Sequence, residues 1–516
     1  MNRHEHFPGG PSRRAFLEAA TAAATITIVP RHVLGGAGYV APSEKIALAY
    51  IGTGTQGLRE MPQLLARPDI QVVAVCDPCK EAVGYRDWSR DGLLHELRQS
   101  LGKPGWRSGA RTVIPGGRDA GKDYVEAWYG SKAASGRSKG CAAYADVREL
   151  LDKEKGVDAI KIMTPDHLHG VIAIAAMKRG KHVMTHKPIS NRLEEGKLVI
   201  DTARKTGVAT LLLAWDSNRP MDQVLAWIKD GAIGTLREIH NWSSRPVWPQ
   251  YALAPTDTPP IPKGLDWDLW LGPEPDRPYH PNYTNMVFRG WYDFGGGSMA
   301  DMGNYSLWSV FNAFELAGPT SIEPMYSHQC TFKDNVATTL RNHDAFPLAS
   351  CVRFRFPTRG QWPKVDLFWY DGGLKPPTPE ELDEEGKSFE AEGMMFVGDK
   401  GKVLAGFWGD KPRLIPEKRM REYEASVPSR LARQAEGSER HAGLREWIAA
   451  VRGGPQPAGC FSNAGPLTEA VNLYAVALRT GKRLHYDAGN TKITNVPEAN
   501  AHLSRNYRKG WEPEKI

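Results

Sequence analysis

Three glycines after an apolar run have the spacing of a nucleotide-binding loop. The run is Ile46-Ala-Leu-Ala-Tyr-Ile, and Gly52, Gly54 and Gly57 follow it as G-x-G-x-x-G. In this pattern the first glycine makes the tight turn, the second admits a pyrophosphate and the third lets helix and strand pack closely. The phosphates then lie at the helix N-terminus. The loop predicted to bind a nucleotide comprises Gly52, Thr53, Gly54, Thr55, Gln56 and Gly57.

An acid at the end of a second strand supports this prediction. Ile70-Gln-Val-Val-Ala-Val-Cys is rich in β-formers, and Asp77 follows it about 20 residues after the last glycine, as the motif requires. A carboxylate there accepts hydrogen bonds from an adenosine ribose and repels a 2′-phosphate. Since no Arg or Lys follows before Lys80, the sequence favours NAD over NADP. Asp77 would also suit a turn before Pro78, a role compatible with the first.

Two later loops carry groups that could act on a substrate. Thr164-Pro-Asp-His-Leu-His169 follows one predicted strand, and His186-Lys187-Pro188 follows the next. Such loops are where parallel sheets bind ligands. A lysine cation beside a nicotinamide can bind a hydroxyl and lower its pKa during oxidation. Considered alone, Lys187 is as readily explained as a surface lysine in a turn.

The elements that position these loops alternate as in a doubly wound α/β fold. After the first two strands we expect helix 144–151, strand 157–163, helix 168–179, strand 182–185, helix 191–206 and strand 209–214. Residues 84–143 have weak periodicity and many turn signals, so we expect an insertion over the sheet.

The second half of the chain reads as another α/β unit. Residues 321–408 alternate as strands do, with strands expected at 350–356, 365–370 and 393–397. Helical apolar spacing recurs at 440–452 and 466–480. We therefore expect a signal and linker over 1–44, a nucleotide-binding domain over 45–215 and a substrate and oligomerisation domain over 216–516.

Together these motifs resemble the glucose-fructose oxidoreductase and inositol dehydrogenase family, also called Gfo/Idh/MocA. The resemblance covers residues 45–510 and rests on the glycine loop, Asp77, Thr164-Pro-x-x-x-His169, Lys187-Pro188 and Gly295-Gly-Gly-x-x-x-Asp301-x-Gly303. It implies an N-terminal Rossmann domain with a parallel sheet, then an α/β domain with a large open mixed sheet. The family acts mainly on sugars, cyclitols and their derivatives by nicotinamide hydride transfer, and the open sheet face often forms an oligomer interface. It also implies late helices that return to the first domain.

The resemblance also implies roles for residues of the site. Thr164, Pro165 and His169 would join Lys187 at the cofactor. Lys187 would bind the reacting hydroxyl, Asp301 would orient it and Tyr305 or a nearby histidine would carry the proton.

Two residues depart from the family pattern. His186 stands where a glutamate usually precedes the lysine, and Tyr305 stands where the acid/base histidine usually lies. A tyrosine would serve if Lys187 and the nicotinamide charge lowered its pKa, which is near 10 unperturbed. His186 or His169 could take the proton instead.

An aromatic, proline-rich segment precedes Asp301. Aromatic faces cover the apolar faces of sugar rings, although packing is an equally ordinary use of them. We expect Arg289, Trp291 and Asp293 to bind substrate with Lys187, Asp301 and Tyr305, because their loop leads into Gly295-Gly-Gly.

Composition excludes several other classes. With 516 residues, 41% hydrophobic and 24% charged, the chain is typical of a globular protein of more than one domain. The net charge of +7 is spread along the chain, which argues against nucleic acid as a partner. Cys76-Asp-Pro-Cys79 has no second pair nearby, so we expect no metal.

The first residues resemble a twin-arginine export signal. Ser12-Arg-Arg-Ala-Phe-Leu17 precedes an apolar stretch that is too short to span a bilayer. We therefore expect a periplasmic or otherwise exported protein with no stable membrane insertion after export. Because NAD is not readily supplied outside the cytoplasm, such a protein should keep NAD tightly bound and regenerate it within each cycle.

Three functions follow from these observations. The first is an NAD-dependent oxidoreductase acting on a CH–OH group of a sugar, glycoside or cyclitol, and forming a homo-oligomer (dimer or tetramer). The second is a redox-neutral glycosidase or epimerase that works through a transient keto-sugar. The third is a non-enzymatic sugar-binding protein on the same fold.

Overall fold

The structure is a computed structural model that describes residues 44–81, 85–109, 114–132, 140–213, 221–340, 342–426 and 442–516. The predicted export signal lies outside the described residues.

The first half forms a six-stranded parallel sheet with helices on both faces. Its strands lie side by side in the order β3-β2-β1-β4-β5-β6. They are β1 (Ile46–Ile51), β2 (Ile70–Cys76), β3 (Ala142–Tyr144), β4 (Ala159–Ile162), β5 (His182–Thr185) and β6 (Thr210–Leu212). The strand order reverses between β1 and β4, and in such sheets ligands bind at that point, beyond the carboxyl ends of the strands. The predicted Rossmann fold is confirmed.

The helices of this half connect successive strands. They are α1 (Thr55–Leu65), α2 (Gly92–Leu101), α3 (Arg118–Lys132), α4 (Val147–Lys153), α5 (Asp166–Lys178) and α6 (Leu193–Thr206). Every residue of β4 is buried, because helices cover both faces of the sheet. All of α5 up to Met177 is buried as well.

The segment 84–143 is more regular than the sequence indicated. Helix α2 buries Leu93, Leu97 and Leu101, which are spaced four residues apart and so lie on one face. Helix α3 buries Tyr124, Val125 and Trp128 in the same core as β1 and β2. Much of the expected insertion therefore completes the connection from β2 to β3.

The second half is built on a nine-stranded mixed sheet. Its order is β15-β14-β13-β7-β12-β11-β8-β16-β17, with β7 and β12 parallel and the other named pairs antiparallel. A separate hairpin is formed by β9 and β10. The strands are β7 (Leu236–Trp242), β8 (Ser321–Tyr326), β9 (Gln329–Lys333), β10 (Val336–Leu340), β11 (Ser350–Phe356), β12 (Val365–Tyr370), β13 (Gly393–Gly398), β14 (Lys402–Ala405), β15 (Arg413–Ile415), β16 (Leu484–Asp487) and β17 (Lys492–Ile493).

The helices of the second half are α7 (Asp222–Lys229), α8 (Trp267–Leu271), α9 (Asn304–Ala313), α10 (Glu380–Asp383), α11 (Glu417–Ser426), α12 (Ala442–Val451) and α13 (Phe461–Thr480). Short 3₁₀ turns occur at Val287–Gly290 and Pro497–His502, and a π-helical turn occurs at Met299–Gly303.

The late helices lie against the first sheet. The Trp447 indole of α12 donates to the Ala209 carbonyl at 3.3 Å, and the Phe461 amide at the start of α13 donates to Thr210 Oγ1 at 3.1 Å. Helix α13 also packs on α6 and β8. These contacts hold the two sheets in one arrangement, so that loops from both can face one cavity.

Two absences hold for the part of the chain that the structure describes. None of its helices has the length and apolar character needed to cross a membrane. None of its clusters of His, Cys, Asp and Glu side chains has three or more members placed to hold a metal ion.

Candidate active site

A cavity of about 310 Å³ lies at the carboxyl ends of the first sheet, where the strand order reverses. Loops of the second half close its other side. The predicted site residues that line it are Gly52, Gly54, Thr55, Gln56, Gly57, Asp77, Thr164, Pro165, His186, Lys187, Arg289, Asp301 and Tyr305. The cavity therefore joins most of the predicted cofactor loop to most of the predicted catalytic residues.

The three glycines meet the geometric demands of their motif. Gly52 has φ of +91°, and a Cβ there would lie 2.5 Å from the Met163 carbonyl oxygen. A Cβ on Gly57 would lie 2.3 Å from the Gly52 carbonyl oxygen, where helix α1 packs on β1. A Cβ on Gly54 would lie 3.1 Å from the ring of Tyr85, which covers the loop. A side chain at Gly52 would push the turn away from the end of β4, and one at Gly57 would push α1 away from the end of β1.

Asp77 is buried at the end of β2, facing the glycine loop. Its Oδ2 accepts the Thr53 amide at 2.8 Å, and its Oδ1 accepts the Cys79 amide at 2.8 Å. Burial raises the pKa of the carboxyl, although these hydrogen bonds favour the charged form. The Thr53 hydroxyl also donates to Oδ2 at 3.4 Å, so Oδ1 is the oxygen that retains a lone pair for a ribose hydroxyl.

This end of the cavity fits a dinucleotide. Helix α1 begins at Thr55, and Gly54 before it supplies no side-chain cap, so backbone amides of the first turn are available to an anion. Arg86, a residue that sequence reasoning missed, also lines the cavity, and its buried Nη1 has no hydrogen-bond partner among the described residues. Amides and a cation at one end suit phosphates, and Asp77 suits a ribose.

A buried ion pair lies at the opposite end. Lys187, just after β5, donates to Asp301 in the π-helical turn. Arg289 donates to Asp166 Oδ1 at 3.0 Å and lies 3.8 Å from Asp301 Oδ1. The Gly296 amide donates to the other oxygen of Asp166 at 3.0 Å. Two cations and two carboxylates from both halves of the chain are thus held beside the cavity.

Burial and charge act on these groups in opposite senses. Burial lowers the pKa of Lys187, and the charge of Asp301 opposes that change. Burial would raise the pKa of Asp301, but the charges of Lys187, Arg289 and Arg245 hold it well below its usual range. Asp301 is therefore a carboxylate at neutral pH, and it keeps a lysine of lowered pKa within reach of the cavity.

A second chain of polar groups runs behind the cavity. The Tyr305 hydroxyl lies 3.3 Å from His186 Nε2, which lies 3.2 Å from Glu60 Oε1. The other oxygen of Glu60 accepts from Lys161 at 2.9 Å, and Gln56 donates to Oε1 at 2.9 Å. Sequence reasoning missed Glu60 and Lys161. The only sequence signal for Lys161 was a charge inside a predicted strand, and the only signal for Glu60 was a charge on a helix.

The protein groups around Tyr305 raise its pKa rather than lower it. Burial raises it, and the charges of Glu60 and Asp301 raise it further, against the weaker opposing effect of Arg289. Burial lowers the pKa of His186 to about 4, although Glu60 favours its protonated form. At neutral pH the pair is therefore a phenol beside a neutral imidazole.

His169 is not among the residues that line the cavity. It is buried, and its ring nitrogens lie 2.6 Å from the Pro188 carbonyl oxygen and 2.8 Å from the Thr164 carbonyl oxygen. The prediction that it contacts the cofactor or carries the proton is not supported by this position. It connects the loop after β4 to the loop after β5, and so fixes where Lys187 lies.

Trp291 and Asp293 also lie outside the cavity lining. The Trp291 indole donates to the Asn282 carbonyl at 2.7 Å within an aromatic cluster. Asp293 pairs with Arg277 at 2.6 Å and with Arg192 at 3.3 Å. Their side chains are instead used to pack the aromatic cluster and to pair with arginines, so their predicted contacts with substrate remain a prediction. Arg289, from the same segment, does line the cavity.

Models of known protein families match two stretches of the chain. A model of the Gfo/Idh/MocA oxidoreductase family, for its NAD-binding Rossmann fold, matches residues 124–213, and the model of the family's C-terminal α/β domain matches residues 225–324. The chain belongs to the Gfo/Idh/MocA oxidoreductase family. The two matched stretches fall on the two halves of the fold, in the order expected.

Two curated proteins are similar to parts of the chain. Levoglucosan dehydrogenase of Pseudarthrobacter phenanthrenivorans is 32% identical over 112 residues, which are 20% of this chain and 28% of that protein. A glycosyl hydrolase family 109 protein of Stenotrophomonas maltophilia is 28% identical over 225 residues, 43% of this chain and 40% of that protein. The chain thus spans less than half the length of either relative.

Among solved structures, the WlbA dehydrogenase of Bordetella pertussis, in complex with NADH and UDP-GlcNAcA, is 14% identical. The similarity covers 86% of this chain and 98% of that one, with a TM-score of 0.48. At this level of similarity the family assignment rests on the two sequence matches.

Proposed function

We propose that this Gfo/Idh/MocA protein is an NAD-dependent oxidoreductase acting on a CH–OH group of a saccharide, glycoside or cyclitol. The observation that carries the proposal is the buried Lys187–Asp301 pair, which shares one cavity with the glycine loop and Asp77. Asp77 at that cavity also supports NAD over NADP.

Lys187 binds the reacting hydroxyl in this proposal. Its ammonium donates to the hydroxyl oxygen and stabilises the negative charge that develops there as the proton leaves. Asp301 holds the ammonium in place and keeps it charged despite burial. Bound NAD would accept the hydride.

The proton leaves through Tyr305. The phenol oxygen accepts the substrate's proton as its own proton passes to His186 Nε2, 3.3 Å away. The new imidazolium then lies 3.2 Å from the Glu60 carboxylate, which stabilises it. This route requires the His186 tautomer with its proton on Nδ1, so Nε2 donates to Glu60 only after it has taken the proton from Tyr305. It needs no phenolate at rest. It therefore agrees with the raised pKa of Tyr305.

A redox-neutral glycosidase or epimerase is the second candidate, favoured by the glycosyl hydrolase family 109 relatives. A ketone formed in the site would make the neighbouring C–H acidic. Loss of that proton with the glycosidic leaving group, addition of water and reduction of the ketone would then cleave the glycoside without net oxidation. The same Lys187 and Tyr305 serve both candidates.

Cofactor retention and export belong to the same proposal. Tyr85 packs against the glycine loop, and Asp87 beside it pairs with Arg59 of α1 at 2.8 Å. Such a cover would slow nucleotide loss, as an exported protein needs. Protein recovered from the periplasm should release NAD on heating, and replacing Arg13 and Arg14 with lysine should keep the protein inside the cell.

A homo-oligomer is proposed from the open face of the large sheet. Arg353, Arg355 and Asp366 form ion pairs on a half-buried face there, with Arg355 Nε 3.1 Å from Asp366 Oδ1. Light scattering after size exclusion should give a mass of two or four chains, and a monomer would contradict this part of the proposal.

Lys187→Met tests the function directly. It should lower kcat by about 10² to 10⁴, since a charge-stabilising group is lost, while the purified protein keeps its nucleotide. Reduction of bound NAD is followed at 340 nm with saccharides and cyclitols, and glycoside cleavage is followed without added NAD. Lys400→Met, at an exposed lysine, is the control. Unchanged turnover in Lys187→Met would remove this residue from the chemistry.

A further inference from the structure

The charges that line the cavity do not balance. Four cations line it, Arg86, Lys187, Arg245 and Arg289, together with three carboxylates, Asp77, Asp87 and Asp301. Asp301 pairs with Lys187, Asp87 pairs with Arg59 and Asp77 accepts backbone amides. Arg289 is neutralised by Asp166. Two arginines, Arg86 and Arg245, remain without a carboxylate partner among the described residues.

Arg86 lies at the cofactor end, where phosphates would neutralise it. The Thr55 hydroxyl at the start of α1 donates to its carbonyl at 3.4 Å. Arg245, on the segment after β7, lies between Trp88 and the groups around Asp301. It is close enough to Asp301 and Tyr305 to favour the charged forms of both. A nucleotide held at the glycine loop accounts for the first cation and leaves the second unexplained.

One nitrogen of Arg245 is buried without an acceptor in the described part of the chain. Its guanidinium lies 5.2 Å from the centre of the Trp88 ring, and its Nε is buried with no hydrogen-bond partner among the residues that the structure describes. The buried indole nitrogen of Trp248, three residues later, lacks a partner in the same part of the chain. The Nε of Arg289 is a third such donor at this cavity. Buried donors are normally paired, so several unpaired ones at one cavity indicate that a ligand supplies acceptors.

We propose that the substrate is a sugar acid whose carboxylate binds Arg245, with the Trp248 indole as a second donor. One cation without a partner matches one negative charge, and the planar guanidinium matches the two oxygens of a carboxylate. The proposal rests on the oxidoreductase function above, because it identifies the class of sugar that reaches Lys187. The ring of the sugar would lie between Arg245 and the Lys187–Asp301 pair.

Matched pairs of ligands test this assignment. The purified full-length protein, with the nucleotide it carries, is titrated by calorimetry with glucose and glucuronate, galactose and galacturonate, mannose and mannuronate, each also as its methyl glycoside. Glucose 6-phosphate serves as the phosphate competitor. At least one uronate should bind about tenfold or more tightly than its neutral partner, in line with the strength of a charge-assisted hydrogen bond. Its affinity should also exceed that of the phosphate.

Arg245→Gln should remove the preference for the acid and leave the neutral partner's affinity unchanged. Arg245→Lys should keep part of the preference for the acid, because lysine has the positive charge but lacks the planar guanidinium that binds both carboxylate oxygens. Arg237→Gln is the control, since Arg237 is exposed at β7 and its Nη2 lies 3.2 Å from Asp399. Thermal melting of each variant checks that it folds.

Three outcomes would overturn the assignment. They are equal or tighter binding of every neutral sugar, tighter binding of the phosphate, and an Arg245→Gln variant that weakens both partners equally. Because binding is measured without turnover, failure of the oxidoreductase proposal is seen separately. A uronate that binds through Arg245 but never reduces the nucleotide would leave this inference standing and refute that function.

Discussion

Replacing Glu60 should change both the stability of the protein and its turnover, and a second substitution can separate the two effects. Its carboxylate lies between Lys161 Nζ at 2.9 Å and His186 Nε2 at 3.2 Å. The side chain of Lys161 is only 2% exposed, so Glu60→Gln leaves a buried ammonium without its counter-charge. The same change removes the group that stabilises a protonated His186. One substitution therefore has a structural and a functional effect.

The structural effect is large. Breaking one side of a buried ion pair costs about 3 kcal/mol or more, because the remaining charge is uncompensated. For a domain of this kind that amounts to a fall of about 6–12 °C in Tm. Glu60→Gln combined with Lys161→Met removes both charges and should recover most of this loss, since an apolar replacement of a buried pair is often neutral.

The functional effect should persist in the double variant. With Glu60 absent, His186 accepts the proton from Tyr305 less readily, and kcat should stay about 10²-fold low. The acid limb of the kcat profile should move to lower pH, because Glu60 raises the pKa of His186 in the native protein.

Thermal melting by circular dichroism gives the stability, and kcat measured from about pH 3 to about pH 9 covers the acid limb near the pKa of His186. A double variant that recovers both stability and full kcat would refute the role of Glu60 beside His186. A Glu60→Gln variant with native Tm would refute the buried pair.

The remaining predictions concern the two ends of the cavity. Asp77→Ala should weaken NAD binding and narrow the NAD/NADP affinity ratio by about tenfold or more, as the ribose acceptor and the repulsion of a 2′-phosphate are both lost; equal ratios by calorimetry would contradict it. Tyr305→Phe should lower kcat by about 10² at every pH, and full activity across the profile would route the proton through His186 or water. The pKa of His186 is about 4 in the folded chain and about 6.5 when unfolded. Since the unfolded chain binds the extra proton, the unfolding free energy should fall by roughly 3 kcal/mol as pH drops from 6.5 to 4. Denaturant titrations should show this slope reduced in His186→Gln, and equal slopes would contradict it.

Local sequence patterns predicted most of the fold because they report local physics. The apolar runs ending at Gly52 and Asp77 lie in the central strands, where both sheet faces are covered. Alternation predicted β11 and β12 to the residue, since one side of each is more buried than the other. Segment 84–143 was harder to interpret, because loops separate its two helices, α2 and α3, and the helical spacing of apolar residues holds only over short stretches.

The candidate site divides in the same way. The sequence by itself determined the glycine loop and Asp77 and placed Lys187 in a loop beyond a predicted strand, since spacing along the chain is enough for that. The role of Lys187 and the choice of Asp301 came from the resemblance to the family. Nothing in the sequence singled out Glu60, because a charged residue on a helix is ordinarily exposed to solvent.

Only the tertiary structure decided which distant side chains meet. It brought Glu60 next to His186, placed Arg245 in the cavity lining and paired Asp293 with Arg277. The physical reason is that burial makes an unpaired charge costly, so each charge is fixed by partners that chain packing supplies. Those partners come from the other half of the fold or from a neighbouring element, and spacing along the chain does not encode them.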